Sequence, residues 1–276
     1  MAYVAPTTRA DGYVVTATVW NSDVVDNPIA LKALIDALTA SEQTTTATGG
    51  QDNFAPSAGY TINIRCTGAA PVFTGFSGGT AGRVLYLHCL GTSLKVTNEA
   101  TSTAANQIIC DSTNGQIVGA NGVIMLVYDG TTSRWRASLL NAGIPVAFTP
   151  TIGGSGGQSG QAYTTQIGRY VQRGRQVQAW VNIVLSTLGT ITTNAQIQSL
   201  PITSQNTTGL ISTLAVGTWA NFNTTITFLS GVLDANATAV TLRHIAGVAA
   251  ASTFPVLQAD LAATTQIVGE ITYPID

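Results

Sequence analysis

Along most of the chain, apolar and polar residues alternate in short runs separated by Gly, Asn, Pro and Thr. Successive side chains of a strand point to opposite faces, so such runs predict half-buried strands. The first group falls at residues 60–66 (YTINIRC), 83–89 (RVLYLHC), 93–97 (SLKVT), 107–110 (QIIC), 123–128 (VIMLVY) and 134–138 (RWRAS). A second group falls at 164–171, 176–185, 197–200, 224–229, 239–244 and 266–273. The runs at 123–128 and 134–138 bracket Asp129, Gly130, Thr131 and Thr132, which predicts a hairpin with a positive φ supplied by the Asp-Gly pair. Trp135 then faces inward or across the strand pair.

One stretch departs from this period. Over 28–38, Ile29, Leu31, Leu34, Ile35 and Leu38 recur at helical spacing, with Asn27 as N-cap and Pro28 in the first helical position. A shorter helical turn starting at Thr16 or Thr18 would bring Val19 and Trp20 near Val24. Residues 39–57 are polar and of low complexity and read as a loop or linker. Pro145, Pro150 and the GGSGGQSG segment at 153–160 mark a boundary. The expected architecture is mainly β. It comprises a short N-terminal helical anchor and linker over 1–58, a middle small β-domain over 59–140, a Gly/Pro linker over 141–161 and a C-terminal antiparallel, jelly-roll-like β-sandwich over 162–276. The absence of a second helical period argues against a parallel α/β sheet.

Composition narrows the function. Charged residues make up 9% of the 276, against about 25% in an ordinary globular protein. The chain carries 42 Thr and 28 Gly with many Ser, Asn and Gln, so its polar surface is built from neutral hydrogen-bonding groups. A net charge of −2 with only two Lys argues against a phosphate-neutralising nucleic-acid surface. No run of 18 apolar residues predicts a membrane-spanning helix, and the first residues lack the pattern of a secretory signal. Cys66, Cys89 and Cys110 lie 23 and 21 residues apart without a C-x-x-C pair. They read as buried free thiols of a protein made in a reducing cytoplasm.

Chemistry-bearing residues are scarce. No carboxylate occurs between Asp129 and Asp234, so an acid and base pair for glycoside hydrolysis would have to come from distant loops. His88 and His244 each sit in a predicted strand without a partner at metal-ligand spacing; His88 suits a core or interface and His244 could equally line a surface. No G-x-S-x-G elbow is present, and Cys89 beside His88 lacks an oxyanion-hole context. The 153–160 glycines lack the Lys-Ser or Lys-Thr ending of a phosphate loop and lead into a strand. The expectation is a non-enzymatic protein with no catalytic residue, metal ligand or cofactor. Arg169, Arg173 and Arg175, with Tyr170 among them, could meet an acidic saccharide or a lipopolysaccharide phosphate, or form a solvated turn around Gly174. Trp219, Asn221, Phe222 and Asn223 would suit stacking and hydrogen bonding to a sugar, while Trp219 and Phe222 suit a core or subunit interface better.

Three segments carry a resemblance. APTTR at 5–9, VTATVWN at 15–21 and DNPI at 26–29 together resemble the N-terminus of tailed-bacteriophage structural proteins. LVYDGTTSRW at 126–135 is similar to the ending of small β-domains in phage fibre and tail proteins. FTPTIGG at 148–154, with YTTQIGRY at 163–170 and GRQV at 174–177, resembles the start of a C-terminal β-sandwich in tail-fibre-like proteins. The resemblance implies a homotrimeric virion protein, assembled in the bacterial host cytoplasm and forming a short tail fibre that binds host-surface polysaccharide through its C-terminal domain. The alternative it leaves open is a capsid decoration or head-fibre protein. Partners would be further copies of the chain and other virion proteins of tail, baseplate or capsid, with no nucleic acid and no membrane insertion. Trp20, Ile29, Leu31, Leu34, Ile35 and Leu38 would then form the anchor and trimerisation element.

Overall fold

The alternating runs become strands in the computed structural model, which describes residues 28, 29, 31, 32, 41–245 and 253–276. The chain is mainly β. Its first half forms β1 (Ser41–Thr45), β2 (Gly49–Gln51), β3 (Thr61–Cys66), β4 (Pro71–Phe73), β5 (Val84–Cys89), β6 (Ser93–Val96), β7 (Ile108–Ile109), β8 (Gln116–Gly119), β9 (Val123–Asp129) and β10 (Arg134–Asn141). These build a six-stranded sheet in the order β1-β3-β5-β9-β10-β7 and a four-stranded sheet in the order β2-β4-β6-β8.

β1, β3 and β5 run parallel, as do β2, β4 and β6. Parallel neighbours require a crossover, and here each crossover is itself a strand of the opposite sheet, so the chain winds as a β-solenoid without helices. Equivalent positions stack from coil to coil: Ile62 on Leu85, Ile64 on Leu87 and Cys66 on Cys89, all buried. β8, β9 and β10 then close the winding with antiparallel pairs. Residues 39–57, expected as a loop, supply β1 and β2, whose side chains, polar throughout, suit the outermost coil. There Ser41, Gln43 and Thr45 pair with Ile62, Ile64 and Cys66 and stay half-buried.

The core of this half gathers around aromatic rings. Phe73 stacks on Phe76 with centroids 5.0 Å apart, and Trp135 meets Tyr128 edge-on at 5.1 Å. Trp135 is fully buried, and its indole Nε1 donates to the Phe76 carbonyl at 2.7 Å, so its one polar atom is satisfied. The hairpin expected at Asp129 forms, but the positive φ falls on Ser133 (53°), not on Gly130. Gly130 is required for another reason: a Cβ there would lie 2.6 Å from the Cβ of Ala81. Asp129 organises the turn. Its Oδ2 accepts from Arg136 Nε at 2.8 Å and its Oδ1 from the Thr131 N–H at 2.9 Å, and with Thr132 these bonds hold the carboxyl at about 2.

The second half forms β11 (Val146–Phe148), β12 (Thr151–Gly154), β13 (Gly157–Ser159), β14 (Ala162–Arg173), β15 (Gln176–Thr187), β16 (Thr190–Thr192), β17 (Ala195–Gln198), β18 (Ser212–Phe222), β19 (Phe228–Leu233), β20 (Val240–Ile245), β21 (Phe254–Pro255) and β22 (Leu261–Pro274). A ten-stranded antiparallel sheet runs β11-β14-β15-β22-β18-β19-β20-β17-β12, with β21 on β20, and β13 pairs β16 separately. The two ends of this path, β11 and β12, are consecutive in the chain, linked by Thr149 and Pro150. Gln166 Nε2 donates to the Pro150 carbonyl at 3.0 Å, and the Ile152 N–H donates to the Tyr163 hydroxyl at 3.0 Å, across that seam. The sheet therefore curls around one core as a half-barrel, on a single hydrogen-bonded path where a sandwich of two sheets was expected.

The 141–161 stretch, expected as a linker, supplies β11, β12 and β13. Its glycines serve close packing, since a Cβ on Gly154 would lie 2.3 Å from the Thr192 carbonyl oxygen. The two halves meet through Gln172, which is 2% exposed. Its Nε2 donates to the Gly115 carbonyl at 2.8 Å and its Oε1 accepts from the Ile117 N–H at 3.2 Å. Of the expected N-terminal helix, Pro28, Ile29, Leu31 and Lys32 are helical and exposed, whereas Trp20, Leu34, Ile35 and Leu38 lie outside the described residues. No helix among the described residues is long and apolar enough to cross a membrane.

The Gly130 packing gives a direct test. Gly130→Ala should destabilise the chain by about 1–3 kcal/mol through overpacking, read as a lower denaturation midpoint. Adding Ala81→Gly should recover most of the loss, and a double variant no better than the single one would refute this account of the turn.

Candidate functional site

Four strands of the curled sheet, β14, β15, β22 and β18, lie side by side, and alternation commits one face of each to the core. On β15, Val177, Ala179, Val181, Ile183 and Leu185 point inward and are buried, leaving Gln178, Trp180, Asn182 and Val184 on the outer face. Register then sets a row across the outer face: Arg169 opposite Trp180, Trp180 opposite Glu270, and Glu270 opposite Ala215. A second row joins Ile167, Asn182 and Val268.

These rows border an open groove of about 440 Å³, within the usual size of a small-ligand site. Small residues make the room: Ala215 and Gly217 line one side, and β18 shifts register between Val216 and Thr218. Trp180 forms the other wall, and its Nε1 donates to Glu270 Oε2 at 3.0 Å, which fixes the indole against β22. Asn182 reaches the same groove with its Oδ1 buried and without a hydrogen-bond partner among the described residues. An unpartnered buried amide oxygen is costly, by about 1–3 kcal/mol. Ile167, 52% exposed, and Val268 add apolar surface, and Glu270 is the single carboxylate in the lining. The groove thus combines an aromatic wall with a cation, a carboxylate and an amide. That set can stack a sugar ring and hydrogen-bond its substituents.

The sequence-predicted residues separate. Arg169 enters the groove, whereas Arg173 borders a cavity of about 600 Å³ at the meeting of the two halves, with Asp111 and Asn141. Arg175 turns to the chain end, its Nε donating to the Ile275 carbonyl at 3.3 Å. Trp219 is in register with buried Ile267, and Phe222 with buried Leu261, so both pack against the core. Asn221 and Asn223 hold backbone: their Nδ2 groups donate to the Thr264 carbonyl at 3.1 Å and the Leu261 carbonyl at 2.7 Å. Trp180, Asn182 and Glu270 were not singled out from the sequence. The available signal was an aromatic residue on the polar phase of an alternating strand.

The remaining reactive groups are occupied or buried. His88 is half-buried on the outer face of the solenoid, its Nε2 3.2 Å from Asn63 Oδ1, and Arg65 beside it pairs with Glu42 at 3.2 Å. His244 faces the core opposite Leu229 and is 6% exposed. All three cysteines are free. Burial pushes the Cys66 and Cys110 thiols up to about 12 and raises Cys89, so all are protonated and poorly nucleophilic at neutral pH. Among the described residues no three His, Cys, Asp or Glu side chains gather as a metal site.

No family model matches the chain, and no curated protein matches it. Among solved structures it is similar to the crystal structure of the Dettilon tailspike protein, at 12% identity and a TM-score of 0.42. That match covers 86% of this chain and 46% of the other, so the chain spans less than half the length of that structure.

Two outcomes are expected of this surface and these thiols. A Cβ on Gly217 would meet nothing within 4 Å, so Gly217→Val should narrow the groove yet change stability by no more than about 0.5 kcal/mol. A large fall in thermal midpoint would show that the groove is part of the packing. A thiol-selective disulfide reagent at pH 8 should leave Cys66 and Cys89 unmodified until denaturant is added, and fast labelling of either in the folded chain would contradict their burial.

Proposed function

We propose that this protein is a structural component of a tailed-bacteriophage virion, a short homotrimeric fibre whose C-terminal domain binds a host-surface glycan without cleaving it. The observation that carries the reading is the open groove walled by Trp180 on the outer face of β14, β15, β22 and β18. An aromatic ring on a groove wall, with Arg169 and Glu270 beside it, matches the apolar face and hydroxyl rim of a pyranose. The neutral, Thr-rich composition supports the same reading, because subunits of such a fibre pack closely without desolvating charge. A single carboxylate in the groove favours binding over hydrolysis, which in most glycosidases needs two. The three sequence segments described above supply the virion assignment.

Native mass by light scattering should be near three times the 28.5 kDa chain, and a clean monomer at micromolar concentration would remove the trimer from the proposal. Fluorescently labelled protein should adhere to host cells, and Trp180→Ala and Gly217→Val should each abolish adhesion while leaving circular dichroism unchanged. Antibody labelling of intact virions should mark the tail. Label spread over the head would move the protein to capsid decoration.

A further inference from the structure

Resting on the glycan-binding reading, we infer that the groove is built for an acidic saccharide, a sugar ring carrying a carboxylate, held in one orientation across the strands. Arg169, Trp180 and Glu270 are successive partners in one cross-strand row. Neighbouring strands lie about 4.8 Å apart, so the backbone positions of Arg169 and Glu270 stand about 10 Å apart with that of Trp180 between them. Arg169 is exposed and makes no hydrogen bond or ion pair among the described residues. Glu270 has one oxygen on Trp180 Nε1 and the other free. In a chain with 9% charged residues, an unpaired Arg and a half-used Glu on either side of a half-buried Trp form a concentrated polar pattern.

Charge complementarity fixes the occupant. A ring stacked on Trp180 directs one substituent toward β14 and the opposite one toward β22. The planar fork of Arg169 suits a carboxylate through two parallel N–H donors. At the other end, the second Glu270 oxygen is an acceptor, and it calls for a hydroxyl or acetamido N–H donor on the sugar. A neutral sugar would leave Arg169 unused, and a cationic one would meet it.

The test uses the full chain, ¹⁵N-labelled, with millimolar methyl β-D-glucuronide and methyl β-D-glucoside as probes. The reporter is the Trp180 indole N–H resonance, assigned through Trp180→Phe. The glucuronide should shift it saturably with an affinity about tenfold above that of the glucoside, equivalent to one charge-assisted contact. Added salt should erode only the glucuronide response, and Arg169→Gln should bring the two sugars to equal affinity. Equal affinities in the wild-type chain would overturn the acidic-sugar inference and leave glycan binding standing. If neither sugar moves the resonance and Trp180→Ala changes only the native mass, the groove is a subunit contact, and both the inference and the glycan reading fail.

Discussion

Alternation along β14, β15 and β22 is the constraint on which both the core and the groove of the C-terminal half depend. Most inward positions of these strands feed one apolar core, from Val177 and Ile183 to Ile267, Ile271 and Tyr273. A shift of one residue would exchange the faces and expose that whole set, so the register is strongly held. With the inner face fixed, the outer residues have no freedom in where they stand. Arg169, Trp180 and Glu270 become neighbours because their inward-facing chain neighbours must meet. The groove is thus a consequence of core packing as much as of its own side chains.

The first half solves a different problem with the same alternation. Its strands are too short to bury much surface singly, so equivalent apolar positions pile up from coil to coil and share one narrow core. Parallel pairing becomes available without helices because the opposite sheet serves as the return path. Trp135 holds the end of this stack, filling space beside Phe76 and Tyr128 while bonding a backbone carbonyl that would otherwise be buried without a partner. Gln172 does comparable work where the halves meet, since one buried amide serves both a donor and an acceptor of the solenoid.

Glycine and threonine had different meanings in place than in the linear chain. Thr-rich residues 41–45 look like linker by complexity, yet β-branched side chains suit an outer strand with one apolar neighbour. The glycines at 153 and 154 look like flexibility, yet they lie buried where a Cβ would strike Gln158 or the Thr192 backbone. β18 went unread because register shifts near Gly217 and Asn221 interrupt its alternation. The 23-residue interval between Cys66 and Cys89 was visible as a spacing, but its meaning as a coil repeat needed the stacked register.

The sequence by itself determined the class of structure and the position of most strands, because burial of one strand face is a local, period-two property. It also determined the neutral surface and the free thiols, and left the inward placement of Trp135 to the structure. Only the tertiary structure decided that the first half winds in parallel, that the second half curls on one hydrogen-bonded path, and that Arg169 shares a groove with Trp180 and Glu270 and lies apart from Arg173 and Arg175. The physical reason is that strand pairing joins residues far apart in the chain, here Trp180 with Glu270 across 90 positions. Alternation tells which face a residue occupies, and pairing tells which residues share it.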